Sequence, residues 1–464
     1  MYKNSVVLAA VAVAQFLVAL DMAVVNVALP SMQQSLGFAP ADLAWVVHVY
    51  ALTFGGFLLL GGRAADLYGR RRLFVGGLVA FGLASLAGGM AQAPWQLIAA
   101  RAVQGLAAAA VAPAALAMLA TTFPEGRERV RALGVWSAVN AAGGALGVLA
   151  GGLLTEYAGW RWVMLVNLPI VGAALALSGA APAGRPGIRR RLDLLGAVLA
   201  TSGTGLLVYG VTTARWPLLA VAAALLAAFV YAETRTSSPL LRLGILKSRW
   251  VAGANVFVFL AAAGQFAAFY FVSLYMQHVL RMSAAATGAA FLPFSLGVIV
   301  GTVFATRLTN GRGPRASLIP GGLLAAAGLA WFACLSPGGN VWADVIGPSI
   351  VTSIGFGLCL GPVAAAATTG VAPQEAGTAS AVLNSARQLG GCVGLAALSS
   401  LAAHRTGSRT AAEALNSGYA LGLAAAAALL VLAVLTALTV LPRRPATVPA
   451  EEPLRGGTRL EERA

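Results

Sequence analysis

The sequence predicts an all-α polytopic membrane protein with fourteen transmembrane spans, arranged as two six-helix halves with two extra central helices between them. Three observations carry that prediction. Apolar runs long enough to cross a hydrocarbon core of ~30 Å recur along the whole chain. Charged residues make up 10% of the 464 residues and hydrophobic ones 59%, against about 25% charge in a soluble domain. Basic residues sit in alternate loops, as a fixed orientation in a bilayer requires. The net charge of +16 is divided among short loops and forms no single patch, which argues against a nucleic-acid partner.

Taken in order, apolar runs and their Pro, Gly and Arg breaks predict helices at roughly 6–29, 43–61, 73–91, 95–120, 131–154 and 161–182. Six helices make the first half, residues 1–182. The first run follows Lys3 and resembles a signal peptide, yet it is long, ends at Leu29-Pro30 and has no small-residue cleavage site, so it is read as a retained helix. Residues 183–249 are a linker segment with two extra spans at roughly 193–213 and 216–232, preceded by an Arg-, Pro- and Gly-rich stretch from Pro182 to Arg191. The second half, residues 250–441, holds spans at roughly 250–275, 285–306, 316–335, 341–370, 377–402 and 418–441. Residues 442–464 read as a solvated tail. Cys334, Cys359 and Cys392 lie inside apolar runs with no CxxC pair, so neither a disulfide framework nor a metal site is expected.

The charge pattern tests the span count, because an error of one helix would put every later basic loop on the wrong side. One set of alternate segments carries Lys3; Arg63, Arg70, Arg71 and Arg72; Arg127, Arg129 and Arg131; Arg185 and Arg189 to Arg191; Arg235, Arg242, Lys247 and Arg249; Arg307, Arg312 and Arg315; and the tail arginines. The opposite loops hold only Arg161, Arg215, Arg281, Arg405 and Arg409. The first set is therefore cytoplasmic, and both termini with it, for a multi-pass protein of the inner (plasma) membrane.

The two halves also echo each other. Pro113 and Pro124 have the same spacing as Pro362 and Pro373, and Gly134, Gly147 and Gly151 the same as Gly377, Gly390 and Gly394. The run Gly62 to Arg72 has a weaker counterpart in Arg307 to Arg315, with Asn310 in the place of Asp66 and Gly313 in that of Gly69. Repeated halves with a site at their interface are the architecture of secondary transporters that alternate access by rocking. No GxxxxGK[ST] phosphate loop is present, so ATP is not the expected energy source. No nucleophile–base pair, metal cluster or phosphate loop suggests an enzyme.

Gly62-Arg63-Ala64-Ala65-Asp66-Leu67-Tyr68-Gly69-Arg70-Arg71-Arg72 resembles the helix 2 to 3 loop motif of the major facilitator superfamily. Leu97 to Gly105, with Arg101, Gln104 and Gly105, resembles its helix 4 motif. Gly134, Gly143, Gly147, Gly151 and Gly152 keep the spacing of its antiporter motif, with Val148 where that motif has proline. Fourteen spans together with Leu20 to Pro30 resemble the drug:proton antiporter branch. The resemblance covers nearly the whole chain up to about Pro442. It implies a monomeric exporter of small organic molecules such as antibiotics, without a cofactor and powered by the proton gradient.

Asp21 is the one carboxylate placed well inside an apolar span. An ionised acid there costs several kcal/mol unless it pairs, faces water or takes a proton, so it reads either as a proton-coupling group or as a hydrogen-bonded packing residue. Arg101 shares a helix face with Gln104, Gly105 and Ala108 and needs a partner; Asp21 is one candidate, and a structural buried donor is the other reading. Asp66 with Arg70 and Arg71 could relay charge at a gating loop or simply set topology. The helix 5 glycines are expected to allow close helix contact. His48, Trp136, Asn140, Asn255, Gln265, Phe269, Tyr270, Asn384 and Arg387 are candidates for a substrate cavity, with ordinary packing as the alternative. The leading expectation is proton-driven efflux; an uptake symporter or uniporter, or a ligand sensor of the same fold, are the alternatives.

Overall fold

The computed structural model describes residues 2–39, 42–123, 126–179, 192–236, 239, 241, 243–310, 312–371, 375–407 and 411–442. The Pro182 to Arg191 linker, Pro124, Pro373, Arg242 and the tail beyond Pro442 lie outside them. Among the described residues the chain is helical, with no strand. The first half comprises α1 (Tyr2–Leu36), α2 (Trp45–Tyr68), α3 (Arg70–Gly89), α4 (Pro94–Thr122), α5 (Arg127–Tyr157) and α6 (Arg161–Ser178). The extra helices are α7 (Leu194–Thr212) and α8 (Trp216–Arg235). The second half comprises α9 (Arg249–Val279), α10 (Ala284–Thr309), α11 (Arg315–Phe332), α12 (Val341–Thr368), α13 (Ala376–Thr406) and α14 (Ala412–Thr439). Thirteen of these are long and apolar enough to cross a membrane. The remaining one, α13, has the length at 31 residues but carries Arg387, Gln388, Asn384 and His404.

Three of the boundaries that differ from the sequence expectation have a structural reason. α1 continues through Pro30 to Leu36 instead of stopping at 29; a proline forfeits one backbone hydrogen bond, and in a membrane protein a neighbouring helix can supply the replacement. The Gly62 to Arg72 motif is not a loop: Gly62–Tyr68 closes α2, Arg70 opens α3, and Gly69 alone turns the chain at φ +94°. Gly313, its counterpart in the second half, turns the chain between α10 and α11 at φ +81°, so the repeat extends to backbone conformation. α14 starts at Ala412, not 418, taking in the polar turn around Glu413.

The basic residues Arg70, Arg127, Arg129, Arg235, Arg307 and Arg315 all lie at helix ends on one side, here called the basic end. Exposed tryptophans mark the opposite end, here called the outer end: Trp95, Trp162, Trp216 and Trp342 each stand in the first turn of a helix that starts there. Aromatic side chains of this kind favour the membrane–water interface.

Within each half, glycines bring helices into backbone contact. A Cβ on Gly147 would stand 2.8 Å from the Leu20 carbonyl oxygen, and one on Gly151 would stand 2.5 Å from that of Val24, so α5 lies directly on α1. The second half repeats the packing: Gly390 abuts Phe259 and Gly394 abuts Ala263, which lays α13 on α9. Superposing these contacts equates Leu20 with Phe259 and Val24 with Ala263, and therefore Asp21 with Leu260.

The halves meet toward the outer end. Ser273 Oγ donates to the Asn26 carbonyl at 3.1 Å and Gln277 Nε2 to that of Val27 at 3.0 Å, joining α9 to α1. Gly152 of α5 abuts Ala284 and Ala285 of α10, and Glu156 accepts from the Ala285 N–H at 2.7 Å. α2 meets α13 through Cys392 near the His48 carbonyl and Ser385 Oγ donating to the Gly55 carbonyl at 2.8 Å. Ser385 is the furthest of these toward the basic end. Beyond it Leu133, Gly134, Val135 and Ser137 of α5 and Gly377 and Asn384 of α13 are exposed. The molecule is open at the basic end.

Candidate functional site

The most concentrated chemistry lies in the first half, where five helices converge on one carboxylate. Asp21 is fully buried and Arg101 is 2% exposed. Arg101 Nη1 donates to Asp21 Oδ2 at 2.6 Å and to Gln104 Oε1 at 2.9 Å, while its Nε donates to the Val46 carbonyl at 3.2 Å. Asp21 Oδ1 accepts from Asn167 Nδ2 at 2.8 Å and from Gln104 Nε2 at 3.3 Å. Ser85 Oγ accepts from Gln104 Nε2 at 2.7 Å and from Asn167 Nδ2 at 3.4 Å. The guanidinium lies 4.2 Å from the centre of the Tyr50 ring.

The local sequence builds this directly. Arg101 and Gln104 are three apart on α4 and so share a face. Gly105, next on that face, abuts the Tyr50 carbonyl and Thr53, letting α4 approach α2 until Arg101 reaches Val46 and the Tyr50 ring. The α1–α5 glycine seam fixes α1, which sets Asp21 against α4. Burying two charges is expensive, and removing one partner leaves the other uncompensated at a cost of about 3–5 kcal/mol. Both carboxylate oxygens of Asp21 and two of the three guanidinium nitrogens of Arg101 therefore carry hydrogen bonds.

Arg101 pairs with Asp21, the candidate partner, and also donates to the Val46 carbonyl. Ser85 and Asn167 belong to this buried network and are not among the candidates that the sequence offers. Asp21 is also not the only carboxylate buried among the described residues, because Asp193 and Glu233 are buried as well. They sit at the basic ends of α7 and α8, where Asp193 accepts from the Gly196 N–H at 2.8 Å and Glu233 from the Leu241 N–H at 3.0 Å. The apolar run 216–232 stops one residue short of Glu233, which is why it escaped notice.

The remaining candidates fall into separate groups. Asp66 and Arg70 pair at 3.4 Å across the Gly69 turn, largely exposed, and Arg71 Nε donates to the Ser178 carbonyl at 3.2 Å. Both contacts stay within the first half. Gly62 makes only an ordinary contact with Pro113. Gly143, Gly147 and Gly151 pack on α1 and Gly152 on α10, as close contacts, but Gly134 faces open space and joins no seam. Asn140 accepts from Gln15 Nε2 at 2.6 Å, and Trp136 is half-buried near the same level of α5.

His48 is fully buried between α2 and α13, edge-on to Trp45 with ring centres 5.6 Å apart, and lines no open space. Asn255 is buried and donates to the Val251 carbonyl at 2.8 Å. Tyr270 packs edge-on to Phe271 in the core. Gln265 and Phe269, by contrast, line a small aromatic recess with Phe291, Phe294, Thr352 and Phe356. Asn384 is exposed and Arg387 half-buried on α13.

A family model described as Major Facilitator Superfamily matches residues 11–395. The chain belongs to the Major Facilitator Superfamily. Membership makes this superfamily protein a membrane transporter of small molecules. It is 45% identical to the cephamycin export protein CmcT of Amycolatopsis lactamdurans over 83% of this chain and 82% of that one. It is 42% identical to the puromycin resistance protein pur8 of Streptomyces alboniger, over 93% and 90%. It is 35% identical to a lincomycin resistance protein of Streptomyces lincolnensis, over 84% and 83%. Among solved structures, an inward-facing bacterial homologue of the human lysosomal transporter Spinster has the same fold, with a TM-score of 0.70 at 17% identity over 97% of this chain and 99% of that one. The inward-open xylose transporter XylE of E. coli gives 0.65 at 14% over 96% and 98%.

Proposed function

We propose that this transporter exports small amphiphilic organic molecules, antibiotics among them, from the cytoplasm in exchange for protons taken up at Asp21. The observation that carries the reading is the buried Asp21–Arg101 pair, a carboxylate whose charge is balanced by one cation and by amide donors from two helices. The export and resistance proteins among its relatives support the direction. The proton gradient supplies the energy, the protein sits in the plasma membrane with the basic end and both termini in the cytoplasm, and one chain suffices for transport.

In this reading the structure is the cytoplasm-open state, with substrate entering at the basic end. The ion pair lies wholly within the first half, so protonation cannot act by breaking a bond between the halves. It acts through α1. Neutralising Asp21 releases the α1 carboxylate from Arg101, which keeps Val46 and Gln104. The next turn and a half of α1 carries Asn26 and Val27, whose carbonyls accept from Ser273 and Gln277 of the other half. A shift of α1 at Asp21 therefore reaches the outer seal, and a two-state rocking equilibrium is biased by the proton.

The test is efflux of a panel of dyes and antibiotics from cells expressing the wild type or Asp21→Asn, with and without a protonophore. Protonophore-sensitive efflux that disappears in Asp21→Asn is the expected result. Unchanged efflux in the mutant removes Asp21 from the mechanism, and substrate accumulation by the wild type in place of efflux overturns the direction.

A further inference from the structure

We propose that Arg387 forms an anion subsite where the two halves part toward the basic end, selecting substrates that carry a carboxylate or similar single negative charge; this rests on the transport reading and narrows its substrate class. The first observation is one of charge balance. Two arginines lie deep within the helix bundle, Arg101 and Arg387. Arg101 is neutralised by Asp21 at 2.6 Å. Arg387 forms no ion pair or hydrogen bond with any described residue. A charge held in a span without a partner is costly, and where it occurs it marks a water-filled path or a ligand.

The second observation is position. On α13, Gly390 and Gly394 face α9, while Ser385, Gln388 and Cys392 face the first half at Gly55, Met22 and His48. With 3.6 residues per turn, Arg387 and Asn384 fall on the arc between those two contact surfaces. They do so at the level of Ser385, where the halves part toward the basic end. Asn384 is exposed on that arc and Arg387 half-buried beside it. The repeat gives the same answer. Gly147 and Gly390 are equivalent, so Gly144 is the counterpart of Arg387, and a Cβ on Gly144 would meet nothing within 4 Å. In the first half this arc opens onto free space at Gly144, and the second half places a cation at the equivalent position.

No acid answers Arg387 from the neighbouring wall. The body of α12, Gly347–Thr368, carries no charged residue, and neither does α9 between Trp250 and Val279 apart from His278 near its outer end. Gln388, adjacent on the helix, has only the Met22 sulfur at 3.7 Å for its amide nitrogen, which leaves polar hydrogen-bonding capacity beside the guanidinium. A planar guanidinium presents parallel N–H donors to a carboxylate, and a charge-assisted bond of that kind is strong in a low-dielectric site.

The experiment uses the full-length protein purified in detergent and two probes that differ only at the carboxyl group, tetramethylrhodamine and its methyl ester. Equilibrium binding is measured for the wild type, Arg387→Gln and Arg387→Lys, each first shown to be monodisperse and to unfold cooperatively. The free carboxylate should bind the wild type more tightly than the ester. It should lose about tenfold or more in Arg387→Gln, recover part of that in Arg387→Lys, and leave the ester within about twofold throughout. Equal loss for both probes in Arg387→Gln shows a structural arginine and overturns the subsite, as does equal binding of acid and ester by the wild type. Because binding needs no gradient, either failure leaves the proton-exchange reading to its own test.

Discussion

At the scale of single residues, Arg101 decides more than any other side chain. It is buried, it makes three hydrogen bonds, and one of them goes to the carboxylate that the transport reading needs. Asp21→Asn removes the counter-charge and leaves a buried cation, and the stability cost should approach the ~3–5 kcal/mol of a broken buried pair. Asp21→Asn combined with Arg101→Gln removes both charges and leaves a hydrogen-bonding amide at each position. The double variant should therefore recover much of the lost stability while transporting nothing, since a pair of neutral amides has no proton to exchange. Thermal unfolding in detergent beside vesicle transport separates the two effects. A double variant no more stable than Asp21→Asn would show that the pair contributes through packing and not through charge. Asp21 and Arg101 were legible in the sequence because a charge in an apolar run stands out. Ser85 and Asn167 were not, since small polar residues are common in membrane helices and only the mutual rotation of α3, α4 and α6 points these two at the carboxylate.

At the scale of elements, the junction of α1 and α9 shows how a sequence break becomes a contact. Pro30 has no N–H, so the Asn26 carbonyl one turn earlier in α1 has lost its helical donor. Ser273 of α9 supplies the replacement, and Gln277, one turn on, reaches the Val27 carbonyl. Gln277 lies in a π-helical turn, Tyr275–Val279, a form of wide helix that often marks functional positions. Ser273→Ala with Gln277→Ala should loosen the outer seal at the cost of two neutral hydrogen bonds, about 1 kcal/mol each. That is about a tenfold or greater shift in the balance between open ends. Labelling of Asn26→Cys by a membrane-impermeant maleimide from the outer side should rise accordingly, in a background where the exposed Cys334 is replaced by serine. An unchanged labelling rate would mean that the α5–α10 contact alone closes the outer end. Proline at position 30 reads as a helix stop from sequence, and Gly62 to Arg72 reads as a loop. Both readings fail for one reason: in a bundle, the neighbouring helix and the membrane interface supply what the local sequence lacks.

At the scale of the whole molecule, the two halves are alike in packing and unlike in charge. The glycine seams α1–α5 and α9–α13 superpose at Gly147 with Gly390 and at Gly151 with Gly394, which is why spacing alone revealed the repeat. The ion pair does not superpose: Leu260 stands where Asp21 would be, and the body of α12 has no charge at all. What could not be read from spacing is which ends of the halves touch, because that is a property of one conformational state and the same sequence must support two. The contact between Glu156 and the start of α10 offers a way to hold this state. Glu156 accepts from the Ala285 N–H at 2.7 Å, capping the first turn of a helix that belongs to the other half, where a carboxylate is favoured by the helix dipole. Glu156→Cys with Ala285→Cys, joined by a short bis-methanethiosulfonate linker, should fix the outer end shut. Exchange across the membrane should then stop, while binding of substrate from the basic end persists, because the cavity there stays open. A reductant should restore exchange. Continued exchange in the linked protein would show that α5 and α10 remain together throughout the cycle, and the rocking axis would have to be sought elsewhere.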